Sequence, residues 1–323
     1  MTGQQAIDLI HERSWVGRKP GLERTQALLA RMGNPERTLK FVHITGTNGK
    51  GSTAAMTASV LAAAGYRTGL FTSPHLFRFH ERMQVNGEPI ADETLGRLTE
   101  QVLDLADGME DFPTEFELMT AVGMAFFAEQ KCDIVVLEVG LGGRMDSTNV
   151  IPAPEVAALT NIGLEHTQEL GNTVALIAKE KSGILKPGCR CVLYHQSREA
   201  EEVVEGVCRE LSIPLTVTAP DTLKVQSVGL DGQVFSYRDA GTFRISLLGE
   251  YQRYNAITAL DIIWSLREKG WKISDEAIQR GLADSKWPGR LELARRDPDF
   301  IIDGGHNPQC VDALMEALEE LFP

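Results

Sequence analysis

The sequence predicts an α/β fold in which a mostly parallel sheet is flanked by helices. Residues 133–140 form a nearly all-apolar run rich in β-branched side chains, which is typical of a parallel strand covered on both faces. Residues 41–45 lead into a glycine-rich turn and then into a helix-forming segment. Further along, strand patterns keep alternating with helical patterns, which is the order of a doubly wound sheet.

Helices and strands can be placed along the whole chain. We predict helices at residues 4–12, 21–32, 54–64, 92–107, 114–131, 174–181, 198–210, 253–269, 274–282 and 308–321, and strands at 41–45, 68–71, 133–140, 155–160, 190–194 and 300–303. Residues 73–83 fit neither period and indicate an ordered functional loop. Short alternating segments over residues 215–248 predict a small antiparallel insert.

The composition limits the classes of function. The 323 residues exceed what one core usually supports, so two domains are expected. A net charge of −13 argues against nucleic acid or an anionic membrane as a partner, although a small anionic ligand needs only a local basic site. No apolar run approaches the roughly 20 residues that span a bilayer. Five scattered cysteines indicate reduced thiols and therefore the cytoplasm.

The glycine-rich turn is a candidate phosphate site. Backbone N–H groups and the dipole at a helix start favour an anion. Lys50 is predicted to reach the terminal phosphates, and the hydroxyl of Ser52 or Thr53 can bind Mg²⁺. The spacing differs from the usual phosphate-loop pattern, because Gly51 separates Lys50 from Ser52. The alternative is an ordinary turn between a strand and a helix.

Three further side chains follow predicted strands or helices. Glu138 ends an apolar strand, where a carboxylate needs a partner; a metal ion is one candidate and an ion pair with Arg144 is the alternative. His166 is either a structural histidine or a ligand. Lys181, taken alone, is best interpreted as a solvated helix end.

Six motifs in order resemble one family. They are residues 45–52, residues 73–75 with 81–82, residues 114–117, residues 138–144, residues 180–184 and residues 303–308. Together they are similar to the folylpolyglutamate synthases and their bifunctional dihydrofolate synthase relatives, within the Mur ligase superfamily. The resemblance implies a monomeric Mur-type ATPase fold and a ligase that uses ATP and Mg²⁺. Such a ligase forms an acyl phosphate on tetrahydrofolate or on dihydropteroate. The amino group of L-glutamate then attacks this acyl phosphate.

The resemblance also implies roles for individual residues. Lys50, Lys181, His166 and His306 would be catalytic, with Lys181 carbamylated. The nucleotide would be held by Thr47, Asn48, Gly49, Lys50, Gly51, Ser52, Asn255, Arg290 and Asp303. The folate would contact Ser73, Arg82, Thr114, Glu115, Phe116 and Glu117, and Mg²⁺ would be bound by Ser52, Ser73, Glu138 and His166. The family often has His-Gln where this chain has Tyr251-Gln252.

The end of the chain sets a further expectation. Residues 1–296 are expected to form the ATP-binding domain, and residues 297–323 the first strand and helix of a second, C-terminal α/β domain. On this hypothesis residues 300–302 form a strand without neighbours, and the chain binds ATP with Mg²⁺ but turns over slowly or not at all. Two alternatives remain open. One is a nucleotide- and folate-binding fragment without ligase activity, and the other is a different Mur-type amino-acid ligase.

Overall fold

The computed structural model describes residues 1–12, 21–305 and 307–322. Its eleven α-helices are α1 Gly3–His11, α2 Glu23–Arg31, α3 Lys50–Ala63, α4 Asp92–Ala106, α5 Glu115–Glu129, α6 Thr167–Leu170, α7 Val174–Lys181, α8 Arg198–Glu210, α9 Glu250–Glu268, α10 Asp275–Asp284 and α11 Pro308–Leu321. Within the described residues, no helix is both long and apolar enough to cross a membrane.

The main sheet has eight strands in the order β4-β3-β2-β5-β1-β6-β7-β8. The strands are β1 Phe41–Thr45, β2 Thr68–Phe71, β3 Met83–Val85, β4 Glu88–Pro89, β5 Ile134–Glu138, β6 Val156–Leu159, β7 Arg190–Leu193 and β8 Leu215–Val217. Six of them run parallel, and β3 and β4 form an antiparallel edge. The predicted mostly parallel sheet is therefore confirmed.

Alternate residues of the strands feed cores on opposite faces, as the period of a β-strand requires. Val42 and Val136 pack with α3, α9 and α10 on one face. On the other face Val135 packs with α1, α4 and α5, and Ala157 packs with α7 and α8. Because both faces are covered, the polar ends of the strands are the open part of the sheet.

Two predicted details are wrong. Strand β8 lies in the main sheet, so the antiparallel insert is only the sheet β9 Lys224–Gly229, β10 Gly232–Ser236 and β11 Thr242–Ile245. The predicted loop of residues 73–83 contains one short 3-10 helix, and only its last residue belongs to a strand, β3. The strand β13 Phe300–Ile302 has a neighbour after all, since it pairs antiparallel with β12 Glu292–Arg295. This hairpin spans the predicted domain boundary at residue 296, which stays a prediction.

Candidate active site

A cavity of about 390 Å³ lies at the carboxyl ends of the parallel strands. This is where open α/β sheets bind their ligands. Loops after β1, β2, β5, β6 and β7 line it, together with α9 and with Arg290, Asp303, Gly305, Gln309, Cys310 and Ala313. Most of the predicted site residues are on its wall: Thr47, Asn48, Gly49, Lys50, Gly51, Ser52, Ser73, Glu138, His166, Lys181, Asn255, Arg290 and Asp303.

The glycine-rich loop has the geometry of an anion site. Helix α3 begins at Lys50, directly after Gly49, which has φ +84°. A Cβ at Gly49 would lie 2.3 Å from Asn255 Oδ1, so both the backbone angle and the space require glycine. Lys50 Nζ donates to the carbonyl oxygens of Gly46 and Thr47, at 3.1 Å each. The Lys50 side chain therefore folds back over its own loop.

Glu138 is a buried carboxylate at the end of β5. Burial raises its pKa to about 7, although the charge of Lys50 and a hydrogen bond from the backbone N–H of Ser73, at 3.1 Å, favour the ionised form. Arg144 lies 3.5 Å from Glu180 instead, so the alternative ion pair with Glu138 does not form. The carboxylate is left facing the cavity among cationic side chains.

Lys181 is not a solvated helix end, so that interpretation is wrong. Its side chain is buried, and Nζ donates to the carbonyl oxygen of Gly46 at 2.7 Å. Burial and the nearby charge of Lys50 lower its pKa to about 7. A lysine in this state is partly a neutral amine at physiological pH and can act as a nucleophile.

Helix α9 presents two amides to the loop. Gln252 Nε2 donates to Ser52 Oγ at 3.2 Å, and Asn255 Nδ2 donates to Gln252 Oε1 at 3.0 Å. Asn255 was predicted from the sequence, whereas Gln252 was missed. The three-residue spacing that places both amides on one helix face was the available signal.

Residues near the end of the described chain complete the wall. Asp303 accepts from the backbone N–H groups of Leu291, at 2.8 Å, and Gly305, at 2.6 Å. The guanidinium of Arg290 lies beside Gly304. His306 lies outside the described residues, so its predicted role stays a prediction.

Asn48 joins the glycine loop to the start of α11. Its Nδ2 donates to Gln309 Oε1 at 3.0 Å, and its Oδ1 accepts from Asn307 Nδ2 at 3.0 Å and from Cys310 Sγ at 3.1 Å. The side chain is thus held by protein groups, and the backbone N–H of Asn48 donates to Asn161 O at 3.4 Å.

Comparison with known proteins assigns the fold and the site to a family. The Mur ligase middle domain matches residues 44–263. The dihydrofolate synthase/folylpolyglutamate synthase of Bacillus subtilis is 41% identical over 99% of this chain and 76% of its own length. The folylpolyglutamate synthase of Lacticaseibacillus casei is 36% identical over the whole of this chain and 78% of its own length. The chain belongs to the dihydrofolate synthase/folylpolyglutamate synthase family of Mur-type ligases.

A solved structure of this family supports the same assignment. The structure described as an FPGS–AMPPCP–folate complex superposes with a TM-score of 0.93 at 34% identity, and the match covers the whole of this chain and 81% of the other. The family resemblance, the Mur-type α/β fold and the class of enzyme predicted from the sequence are therefore confirmed.

The residues of this chain that are predicted to contact folate lie outside the cavity wall, apart from Ser73. Arg82 Nε donates to His75 Nδ1 at 2.8 Å. The ring of Phe116 covers Gly140, so close that a Cβ there would lie 2.4 Å from it.

The residues around Phe116 have structural partners. Glu115 lies 2.9 Å from His11 Nδ1. Thr114 and Glu117 form a capping box at the start of α5, and buried Glu117 also binds Arg24 Nε at 3.0 and 3.1 Å. The structure thus places residues 114–117 behind the wall that follows β5.

A second residue that the sequence analysis missed is Asp146. Its buried carboxylate accepts from the backbone N–H groups of Leu141, at 2.9 Å, and Thr148, at 3.0 Å. Burial raises its pKa, against the opposing effect of these hydrogen bonds. The carboxylate fixes the turn that follows Glu138. The only sequence signal was an acidic residue just beyond the glycines.

Proposed function

We propose that this chain adds L-glutamate to a reduced folate, with dihydropteroate as an alternative acceptor, at the expense of ATP. One observation carries the proposal. A phosphate-type loop, the buried carboxylate of Glu138 and Lys181, whose pKa is lowered to about 7, share a single cavity. Relatives with the corresponding names, and a related complex with AMPPCP and folate, support the substrates.

The nucleotide phosphates would lie against the backbone of Gly49, Lys50, Gly51 and Ser52, where the dipole of α3 favours negative charge. Asn255, Arg290 and Asp303 face the same cavity and would hold the rest of the nucleotide. Thr47 and Asn48 shape the loop from its other end. AMPPCP, an analogue that resists hydrolysis between the β and γ phosphates, is therefore a suitable probe.

The donor set fits Mg²⁺ carried by a nucleotide. Mg²⁺ usually takes one or two carboxylates and completes its shell with water and phosphate oxygens. No group of three or more His, Cys, Asp or Glu side chains suited to a metal occurs in the described part of the chain. We propose Glu138 as the carboxylate, with Ser52, Ser73 and His166 as further ligands. The ion would stabilise negative charge on the transferred phosphoryl group.

Lys181 is proposed to react with CO₂. Its neutral amine would form a carbamate by bonding to the carbon of CO₂ and losing a proton, which converts a cation into a carboxylate-like group. The low pKa supports this, because only the unprotonated amine is nucleophilic. The carbamate would lie beside Gly46 and help to bind a cation.

The reaction would proceed in two transfers. A carboxylate oxygen of the folate takes the γ-phosphoryl group of ATP, giving an acyl phosphate and ADP. The amine of L-glutamate then attacks the acyl carbon, loses a proton and displaces inorganic phosphate. Lys50 would offset charge during the first transfer. His306 is proposed to assist the same step, and Arg82 with residues 114–117 to hold the folate.

The expected location is the cytoplasm, and the expected state is a monomer. None of the five cysteines, all of which lie in the described part of the chain, forms a disulfide, which fits a reducing compartment.

The proposal is tested first by binding. Calorimetry with AMPPCP and Mg²⁺ should show saturable binding to the wild-type protein, and Lys50→Ala should abolish it through loss of phosphate contacts. Lys179→Ala, an exposed lysine on α7, is the control and should bind normally. Unchanged affinity in Lys50→Ala would mean that the nucleotide lies elsewhere.

Turnover is tested separately with radiolabelled L-glutamate. Label should enter tetrahydrofolate or dihydropteroate only when ATP is present. Nucleotide binding without any incorporation would limit this chain to a binding role and refute the ligase proposal.

A further inference from the structure

We propose that Gln252 is a positioning residue that sets the direction of the Ser52 hydroxyl. The proposal rests on the nucleotide site described above and adds a residue to it. Gln252 is fully buried in the first turn of α9, and its side chain lies between α9 and the start of α3. It touches no cavity surface itself, so it would act through its neighbours.

The hydrogen-bond polarity decides what Gln252 does. Asn255 Nδ2 donates to Gln252 Oε1 at 3.0 Å. The amide nitrogen of Gln252 must then face Ser52, and Nε2 donates to Ser52 Oγ at 3.2 Å. A hydroxyl has one proton and two lone pairs. Because one lone pair is used by Gln252, the proton of Ser52 is directed away from α9 and remains available to a phosphate oxygen.

The hydrogen bond between the two amides also positions Asn255. Asn255 Oδ1 lies 2.3 Å from the position that a Cβ of Gly49 would occupy, so the amide rests directly on the turn of the loop. Gln252 therefore orients two groups around the loop, the hydroxyl of Ser52 and the amide of Asn255 above Gly49.

The same turn of α9 is anchored independently by the next residue. The guanidinium of buried Arg253 lies 2.7 Å from Gln233 Oε1 and 3.1 Å from Glu320 Oε1. This anchor holds the helix in place when Gln252 is changed. A Gln252 variant should therefore lose the fixed orientation of the Ser52 hydroxyl while α9 stays in place.

A double-mutant cycle tests the proposal. Gln252→Leu and Ser52→Ala should each weaken binding of AMPPCP with Mg²⁺ about tenfold in calorimetry, as expected for a hydrogen bond to a charged group. The double variant should lose clearly less than the product of the two single losses, because both changes remove the same Ser52 contact with the phosphate. A product of about a hundredfold would overturn the proposal.

Thr57→Val provides the matched control. Thr57 is another buried hydroxyl of α3, and its Oγ1 donates only along its own helix, to Thr53 O at 2.7 Å. Combined with Gln252→Leu, it should change affinity by no more than the Gln252 variant alone. Coupling as large as that with Ser52 would indicate a general effect on α3 and contradict a positioning role.

Two further arms separate the possible failures. If Gln252→Leu does not fold, as judged by thermal melting, the cycle is repeated with Gln252→Met, which conserves the unbranched shape. If the wild-type protein fails to bind AMPPCP, the nucleotide site itself is wrong and the proposal falls with it. If the wild type binds and the Gln252 variants bind equally well, only the positioning role is refuted.

Discussion

Replacing Lys181 with methionine should remove a pH-dependent destabilisation of the folded protein. The ammonium is buried and its pKa falls from 10.5 to about 7, chiefly through burial and then through the charge of Lys50. Each pKa unit corresponds to about 1.36 kcal/mol, so protonating this lysine in the folded state costs about 5 kcal/mol more than in the unfolded chain. Gly46 O still accepts from Lys50 Nζ after the substitution, so no carbonyl is orphaned.

The sign follows from proton binding. Between pH 7 and 10.5 the unfolded chain carries the proton on Lys181 and the folded protein does not, so wild-type stability rises with pH. From pH 7 to pH 9 the gain should be about 2 kcal/mol. Lys181→Met should lack this gain, while all other titrating groups contribute equally to both proteins.

Urea unfolding at pH 7, 8 and 9, in CO₂-free buffer, measures the effect. The difference in unfolding free energy between Lys181→Met and wild type should shrink by about 2 kcal/mol over this range. Lys179→Met, on an exposed position of the same helix, should show the wild-type slope. A difference between Lys181→Met and wild type that stays constant with pH would refute the neutralisation of Lys181 by burial.

Three other substitutions test the site and its support. Gly49→Ala should weaken AMPPCP binding at least about tenfold through the positive φ and the close amide oxygen, whereas Gly188→Ala, at φ +94° with open space, should not; equal dissociation constants would contradict this. Glu138→Gln should end ATP turnover and stabilise the metal-free protein by about 3 kcal/mol above pH 7. Wild-type stability falls as pH rises from 4.5 to 7, because the folded carboxyl holds its proton longer, so an unchanged melting temperature at pH 8 would refute the burial effect. Arg24→Ala should cost about 3 kcal/mol by leaving Glu117 buried without its cation, and a loss in urea unfolding below about 1 kcal/mol would contradict the pair.

The sequence predicted what local pattern determines. Strand β5 was visible as an apolar run, and the buried state of Glu138 followed from its apolar neighbours. The start of α5 was visible through the Thr114–Glu117 capping box, which the structure contains. In both cases the sequence pattern that carried the prediction spans only a few residues.

The predictions failed where contacts between distant segments determine the structure. Lys181 is buried because it reaches Gly46, 135 residues away in the sequence, and no local signal reports that contact. Strand β12 was missed because its residues, Glu-Leu-Ala-Arg, have low strand propensity and pair only through β13. The role of Gln252 depends on a hydroxyl 200 positions earlier.

Helix α11 is held at both ends, and its length turns two local contacts into a long-range connection. Its start is hydrogen-bonded to Asn48 in the glycine loop, and near its other end Glu320 binds Arg253. Fourteen helical residues span about 21 Å. Between these contacts Ala317 packs in an apolar cluster with Leu248 and Leu291. Because a helix is stiff over this distance, a shift at Glu320 would be transmitted to Asn48, and we expect a charge change well away from the cavity to alter the affinity for the nucleotide.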